Sequence, residues 1–214
     1  MYLPPHFAET RPEELRRLIE HNPLGALVIN GPNGLDANHL PFELDAAAGE
    51  HGVLRGHVAR ANPVWKEADN GADVLVIFRA TDAYISPNWY PSKHENHRQV
   101  PTWNYQVVHT HGKIRFIDDE NYVRGVVARL TRTHEARANA GKAWRMGDAP
   151  KEYIDTMLKA IVGLEIDITK IVGKSKLGQN REERDRINAA EELGRRGQQA
   201  ISKAMLGGTD SKID

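Results

Sequence analysis

The order of apolar and polar residues predicts one early helix, then several strands, then mostly helices. Leu15, Leu18 and Ile19 recur at helical spacing behind Thr10, which can cap the helix that ends before Pro23. Apolar or alternating runs bounded by turn residues then predict strands. These strands cover residues 24–29, 37–44, 53–59, 74–80, 102–116 and 162–169.

The fifth of these runs contains a glycine, and its spacing leaves two structures open. Gly112 marks a bulge within a continuous strand, or it forms a tight hairpin together with His111. The fourth run is apolar on both faces, so we expect it to be covered on both sides.

Helical spacing returns in the second half of the chain. Apolar residues at the spacing i, i+3, i+4, i+7 predict helices over 120–132 and 148–159, and a last helix over 181–205. Gly194 and Gly197 weaken that last helix, so packing against other parts of the protein must sustain it. Residues 207–214 are expected to form a disordered tail.

About six short strands joined mainly by turns favour an α+β fold. We predict an antiparallel β-barrel with peripheral helices and a C-terminal helix, because the helix–strand alternation of a parallel sheet is missing from the first half. The expected organisation is a single domain over 1–206 that includes the helix 181–205.

Composition narrows the classes of function. The 214 residues contain 29 Lys plus Arg and 29 Asp plus Glu, so the formal charge is zero and the simplest argument for a nucleic-acid partner is lost. Cysteine is absent, which excludes disulfides, thiolate nucleophiles and cysteine-bound metals. No leader pattern and no long apolar run is present, so we predict a cytoplasmic protein without membrane contact.

The usual catalytic and metal-binding motifs are also missing. His109 and His111 would share one face of a strand, and His94 and His97 lie three apart, but no further ligand is fixed by spacing, so we predict no metal site. No serine stands in a Gly-x-Ser-x-Gly elbow, and neither common nucleotide-binding glycine motif occurs.

One candidate binding segment is the strand–helix junction at 56–65. Asn62-Pro63 is suited to start a helix, and backbone N–H groups at that start together with His57 and Arg60 would form an anion site suited to a phosphate monoester. The alternative is that Asn62 only caps the helix and Arg60 points into water.

A second candidate is aromatic. The segments 85–93 and 100–105 contain two Trp, two Tyr and two Asn, which could enclose a flat aromatic ligand and bind its edge. The alternative is that these aromatic residues plug one end of the barrel or form a subunit interface.

Several longer motifs carry a family resemblance. They are YLPPHF at 2–7, NHLPF at 38–42, GHVARANP at 56–63, YISPNWYPSK at 84–93, VPTWNY at 100–105 and KLGQNR at 176–181. In this order they resemble the PaiB-type FMN-binding negative transcriptional regulators, which are relatives of the pyridoxamine-phosphate-oxidase-like split barrels. Gly178 departs from the pattern, in which a serine is expected.

The resemblance implies an FMN-binding split barrel that forms a homodimer with flavin sites at the subunit boundary. It assigns the FMN phosphate to the junction of His57, Arg60 and Asn62. It makes Trp103 and Asn104 candidates for contacts to the ring or ribityl chain. Four further candidates for cofactor contacts are Lys93, Lys176, Gln179 and Arg181.

The function implied is a dimeric flavin-dependent sensor and negative transcriptional regulator. One alternative is a small flavin-dependent oxidoreductase of unknown substrate, with no catalytic residue assigned; His57, His109 and His111 would be its proton donors. Another is a haem-binding split barrel with His6 or His109 as axial ligand. Direct DNA binding is supported only by scattered basic residues, which a solvated helix face explains equally well.

Overall fold

The computed structural model describes residues 1–139 and 141–207, and within them it has eight strands and seven α-helices. The strands are β1 (Ala8–Glu9), β2 (Leu24–Gly31), β3 (Gly34–Pro41), β4 (Glu43–Asp45), β5 (Val53–Ala59), β6 (Asp73–Ile85), β7 (Thr102–Ile117) and β8 (Ile161–Lys176). The helices are α1 (Pro12–His21), α2 (Val64–Glu67), α3 (Pro91–Asn96), α4 (Glu120–Ala138), α5 (Lys151–Lys159), α6 (Glu183–Arg195) and α7 (Gln199–Met205). The tail expected at 207–214 lies, beyond Gly207, outside the described residues.

The strands form one antiparallel sheet, which agrees with the α+β class expected from the sequence. Its order is β3-β2-β6-β7-β8-β5-β4, and β1 pairs with β8. The β2–β3 hairpin closes where Gly31 pairs with Gly34, and β5 pairs with β8 from Val53–Asp167 to Ala59–Ile161. None of the helices in 1–139 and 141–207 combines the length and apolar character needed to cross a bilayer.

By compactness the chain divides into two units. Unit 1 contains residues 1–15, 79–108 and the segment from 172 onward; unit 2 contains 16–78 and 109–171. The long strands β6, β7 and β8 contribute residues to both units. The single domain expected over 1–206 stays a prediction.

The core of unit 2 lies between the sheet and α4. Alternate residues of β8 are buried, as its period-two pattern requires, and so are the apolar positions of α4 at Val123, Val126 and Leu130. Helix α4 packs against β4 and β5. Arg129 of α4 donates a hydrogen bond to Glu43 at 2.7 Å, which fixes the helix at the sheet edge.

The core of unit 1 is built on α6 and α7. Its buried residues come from the end of β6, the residue before α3, the residue after β8 and the two helices α6 and α7. They are Ala83, Ile85, Tyr90, Leu177, Ala189, Ala190, Leu193, Ile201 and Met205.

Three strand predictions needed correction. The strand expected over 37–44 is split into β3 and β4 because Phe42 leaves the ladder: its N–H donates to Pro23 O at 2.9 Å and its ring meets Phe78 edge-on. The predicted strands 74–80 and 162–169 are much longer in the structure, as β6 and β8.

The single helix predicted over 181–205 is wrong, because a helix stop divides it into α6 and α7. Gly197 has a φ of +80°, its N–H donates to Gly194 O, and the N–H of Gln198 donates to Leu193 O. This pair of hydrogen bonds around a left-handed glycine is the Schellman motif that ends helices.

Strand β7 continues without interruption through Gly112, so the hairpin alternative does not form. A Cβ at this position would lie 2.5 Å from the backbone oxygen of Asp167 and 2.6 Å from the Ile166 side chain. The glycine is therefore required by the close approach of β8.

We predict that Gly112→Ala destabilises the protein by about 1–3 kcal/mol, because a backbone oxygen must move to admit the methyl group. The free energy of unfolding from urea denaturation measures the effect. Gly147→Ala is the control, since nothing lies within 4 Å of its Cβ position, and we expect a change below about 0.5 kcal/mol. Equal midpoints for the two variants would contradict this account of Gly112.

Candidate functional site

The junction after β5 is a tightly bonded turn. The Oδ1 of Asn62 accepts a hydrogen bond from Val64 N at 3.0 Å, and its Nδ2 donates to Asn38 Oδ1 at 2.7 Å. Asn62 thus forms a side-chain turn directly before the short helix α2, which begins at Val64. The oxygen and the nitrogen of the Asn62 side-chain amide thus both have hydrogen-bond partners within unit 2.

The Arg60 guanidinium makes four hydrogen bonds to protein acceptors. Nη1 and Nη2 bind the two carboxylate oxygens of Asp118 at 2.7 and 2.6 Å, Nε donates to Lys159 O at 2.7 Å, and Nη2 also donates to Ile161 O at 3.3 Å. The ion pair raises the pKa of Arg60 and lowers that of Asp118. Arg60 therefore connects the end of β5 to the segments before α4 and β8, and an anion there would compete with Asp118.

His57 is the junction residue that still has a ring nitrogen without a hydrogen-bond partner. It pairs with Gly163 of β8, whose Cβ position is 2.5 Å from the ring of Tyr122. Its Nδ1 is the one buried side-chain nitrogen or oxygen in the described part of the chain without a hydrogen-bond partner. Burial lowers the pKa of His57, which favours the neutral form of its ring.

In unit 1, Lys176 lies at the end of β8 beside the start of β7. Its Nζ donates to Thr102 Oγ1 and to Trp103 O, the latter at 2.6 Å. Its pKa is lowered by burial and by the nearby positive charges of Lys174 and Arg181. Lys176 is thus a partly buried cation in a positive environment.

Lys174 is a residue that the sequence analysis did not select. Only 7% of it is exposed; its Nζ donates to Tyr2 O at 3.1 Å and lies 5.4 Å from the ring centre of Tyr105 and 5.7 Å from that of Tyr2. The signal available in the sequence was the alternation Lys174-Ser175-Lys176, which places two lysines on one face of a strand.

Trp103 presents an aromatic surface to solvent. Its side chain is 54% exposed and meets the 47% exposed Tyr84 edge-on, with ring centres 6.1 Å apart. The two rings belong to a cleft of about 780 Å³ within unit 1. The cleft is lined by Asp82, Ala83, Tyr84, Ser86, Asn88, Trp89, Trp103, Arg196 and Gln198.

Two of the selected residues use their side chains inside unit 1. Asn104 is buried and donates to Met205 Sδ at 3.4 Å. Gln179 accepts from Leu177 N at 2.8 Å and donates to Ser175 O at 2.6 Å, so it shapes the turn after β8. Gly178 in that turn has a φ of +88°, a conformation that favours glycine over the expected serine.

The last two selected residues flank the segment around α3. Arg181 donates to Gln99 Oε1 at 2.7 Å and lies 5.3 Å from the Tyr90 ring centre. Lys93 is half-buried on α3. The described residues contain no group of three or more potential metal ligands.

The segment around α3 is held by a buried carboxylate that the sequence analysis also missed. Asp185 of α6 is fully buried; its two oxygens accept from Ser92 N at 3.0 Å and from Ser92 Oγ at 2.5 Å. Arg184 adds a bidentate ion pair with Glu95. These contacts fix the position of the aromatic segment 85–93 relative to α6.

The selected residues therefore form two groups. The structure brings His57, Arg60 and Asn62 together in unit 2. It places Trp103, Asn104, Lys93, Lys176, Gln179 and Arg181 in unit 1.

We predict that His57 makes the protein less stable in mild acid. Because its pKa is lowered in the folded state, the unfolded chain binds the proton more tightly, and stability falls as the pH drops through about 6.5. The free energy of unfolding, measured between pH 7.5 and 5.5 (about one unit either side of that value), should show a shallower pH slope in His57→Gln. The exposed control His39→Gln should keep the parent slope, and identical slopes in all three proteins would contradict the prediction.

Three related sequences align with this chain over most of their own length. "Protease synthase and sporulation protein PAI 2" of Bacillus subtilis is 34% identical over 193 residues, which covers 90% of this chain and 89% of the relative. The uncharacterized protein AN0679 of Emericella nidulans is 33% identical, with 91% and 92% coverage. The uncharacterized protein YKL070W of Saccharomyces cerevisiae is 31% identical, with 66% and 95% coverage.

Solved structures share the fold. The FAD and heme binding protein from Mycobacterium smegmatis matches with a TM-score of 0.56 at 18% identity, covering 85% of this chain and 79% of that one. The flavocytochrome Anf3 from Azotobacter vinelandii also has a TM-score of 0.56, at 12% identity, with 84% and 74% coverage. The expected fold class, an α+β split β-barrel, is confirmed.

Residues 1–170 match the family model described as "Putative FMN-binding domain". The predicted cofactor, FMN, is thereby confirmed, as is the resemblance to the PaiB-type proteins. The chain belongs to this FMN-binding domain family.

Proposed function

We propose that this protein is a homodimeric FMN-dependent sensor that acts as a negative transcriptional regulator. The observation that carries the proposal is the exposed Trp103–Tyr84 pair of β7 and β6 in unit 1, with the partly buried Lys176 on the neighbouring strand β8. The resemblance to PaiB-type regulators supports the regulatory role.

The residues of unit 1 fit a flavin by their chemistry. A planar aromatic ring gains from contact with other aromatic rings, and Trp103 and Tyr84 offer two. Lys176 lies beside Trp103 O and offers a positive charge to an electron-rich or anionic part of the cofactor. When bound, FMN supplies redox chemistry, while the protein binds and orients it.

The junction in unit 2 is the second candidate for cofactor contacts. His57 offers a buried ring nitrogen without a partner, whereas Arg60 and Asn62 are already hydrogen-bonded. We keep His57, Arg60 and Asn62 as a proposed polar contact set; Arg60 serves only if its ion pair with Asp118 opens.

Apolar exposure in unit 1 supports the homodimer. Large apolar side chains that are at least partly exposed there are Met1, Tyr2, Tyr84, Val100, Trp103 and Leu206. Burying them against a second copy would gain hydrophobic free energy. In such a dimer, Lys93, Gln179 and Arg181 are proposed to contact the cofactor from the second subunit.

The regulatory role does not depend on direct DNA contact by the basic residues noted in the sequence. Arg124 pairs with Glu120 and Asp155, Arg129 with Glu43, and Arg195 and Arg196 with Glu192. These ion pairs neutralise those four arginines, so their charge is not free for a phosphate backbone.

The flavin site is tested by titrating FMN and following quenching of flavin fluorescence. We expect Trp103→Ala to weaken FMN binding about tenfold, in line with the energy of aromatic stacking. Trp144→Ala in unit 2 is the matched tryptophan control and should bind like the parent. Failure of the parent to bind, or equal affinity of the two variants, would refute this site.

The dimer is tested by sedimentation velocity. The mass of the parent obtained from its sedimentation should be about twice the chain mass of 24.0 kDa. Val100→Asp places a charge on the 64% exposed Val100 and should shift the protein toward the monomer, whereas Leu35→Asp at the 79% exposed Leu35 of unit 2 should not. A monomeric parent would exclude the proposed assembly.

The sensor and oxidoreductase alternatives differ in turnover. Stopped-flow mixing of the FMN-loaded protein with NADH or NADPH should give no sustained flavin reduction if the protein is a sensor. Rapid, repeated reduction would instead identify an enzyme.

A further inference from the structure

A cavity in unit 2 lies between α4 and the segment that follows this helix. Its volume is about 460 Å³, which is within the range of small-molecule sites. The cavity is lined by Ala128, Thr131, Arg132, Ala136, Ala143, Trp144, Arg145 and Met146. None of these residues is among those proposed to contact flavin, so the cavity has no part in the function proposed above.

Helix α4 forms one wall of the cavity. Ala128, Arg132 and Ala136 recur every four residues and therefore project on one side of the helix. The opposite side, which carries Val126 and Leu130, is buried in the core of unit 2. The short side chains of Ala128 and Ala136 leave the space that the cavity occupies.

Trp144 forms the wall that faces the helix. Its backbone N–H donates to Glu135 Oε2 at 2.9 Å, and the same oxygen accepts from Asn139 Nδ2 at 3.1 Å. These two hydrogen bonds lower the pKa of Glu135 and tie the segment to the end of α4. Trp144 is 42% exposed, so its indole ring offers an apolar surface that is held in place without a ligand.

Two cations line the same cavity. In the part of the chain that the structure describes, neither Arg132 nor Arg145 forms an ion pair with an acidic side chain. Arg60 and Arg124, by contrast, each bind a carboxylate. A guanidinium presents a planar fork of N–H donors that matches the two oxygens of a carboxylate. The cavity therefore combines an apolar lining with positive charge that no protein carboxylate compensates.

We propose that this cavity is a binding site for a small aromatic carboxylate. The ring of the ligand packs on Trp144 and Met146, and its carboxylate is bound by Arg132 and Arg145. A ligand of this class matches both properties of the lining. A small polar anion would leave the apolar surface uncovered, and a neutral aromatic molecule would leave both guanidinium groups without a counter-charge.

The first experiment separates the two parts of the ligand by isothermal titration calorimetry of the full chain. The probes are naphthylacetate, its neutral analogue naphthylacetamide, and acetate. We expect naphthylacetate to bind at least about tenfold more tightly than naphthylacetamide, which lacks the charge-assisted hydrogen bonds, and than acetate, which lacks the ring. Absence of saturable naphthylacetate binding, or equal affinity for naphthylacetate and either of the other probes, overturns the proposal.

The second experiment tests the two cations. In the double variant Arg132→Gln with Arg145→Gln, the affinities for naphthylacetate and naphthylacetamide should become nearly equal, with naphthylacetamide binding unchanged. Arg16→Gln is the matched control, because Arg16 is an exposed arginine of unit 2 outside the cavity, and it should keep the preference of the parent. A preference for naphthylacetate that persists in the double variant overturns the proposal.

The third experiment tests the location. Ala136→Trp places a large side chain in the cavity and should abolish binding of both naphthyl probes, whereas Ala138→Trp, at an exposed position of α4 outside the cavity, should bind them like the parent. Naphthylacetate binding that is unchanged in Ala136→Trp overturns the proposal. Circular dichroism checks the folding of each variant, and the double arginine variant decides the outcome if Ala136→Trp does not fold.

Sedimentation velocity distinguishes a ligand site from a contact between two copies of the chain. Ala136→Trp should have the same mass as the parent. A smaller mass for Ala136→Trp, with the parent mass retained in Ala138→Trp, would assign the cavity to an interface and overturn the proposal.

Discussion

Close packing against the backbone of β8 is the constraint on which the two units depend. Gly163 leaves room for the Tyr122 ring in unit 2, and in unit 1 Gly173 lies under Leu15 and Glu9, with a Cβ position 3.0 Å from Glu9 O. A side chain at either position would push these neighbours away, because protein interiors have no spare volume. Strand β8 carries Gly163, the cross-strand partner of His57, near its start and Lys174 and Lys176 at its end. Its packing therefore affects both groups of candidate residues.

Electrostatics separates the two groups of candidate residues. Around the junction in unit 2, charges are matched: Arg60 faces Asp118, and Arg55 and Arg115 share Glu165. These contacts lower the pKa of Asp118 and Glu165 and leave little free charge for a ligand. In unit 1, Lys174 and Lys176 are stabilised by rings and carbonyl oxygens, which do not neutralise them. Free positive charge, rather than positive charge as such, distinguishes a binding surface from a structural ion pair.

Local pattern was enough to predict much of the fold and little of the site. The strand 53–59 was predicted with its observed bounds, because turn residues bound a clear run. The break at Gly197 and the exit of Phe42 from the ladder depend on hydrogen bonds that composition does not reveal. The geometry of the site was harder to predict from the sequence than the strands, because its contacts join distant residues. Arg60 and Asp118 are 58 residues apart, and Lys174 and Tyr2 are 172 residues apart. Residue types indicated which side chains are able to bind a ligand. Only the tertiary contacts show which of these side chains are already engaged in hydrogen bonds or ion pairs.

The buried bond between Asp185 and Ser92 bears on how much order a ligand would have to impose on the aromatic segment 85–93. Opening that segment would strip the Asp185 carboxylate of both its hydrogen bonds to Ser92, an unfavourable step for a buried charge. The protein itself thus holds the segment in one arrangement, and a ligand that binds there does not have to meet the entropic cost of ordering it.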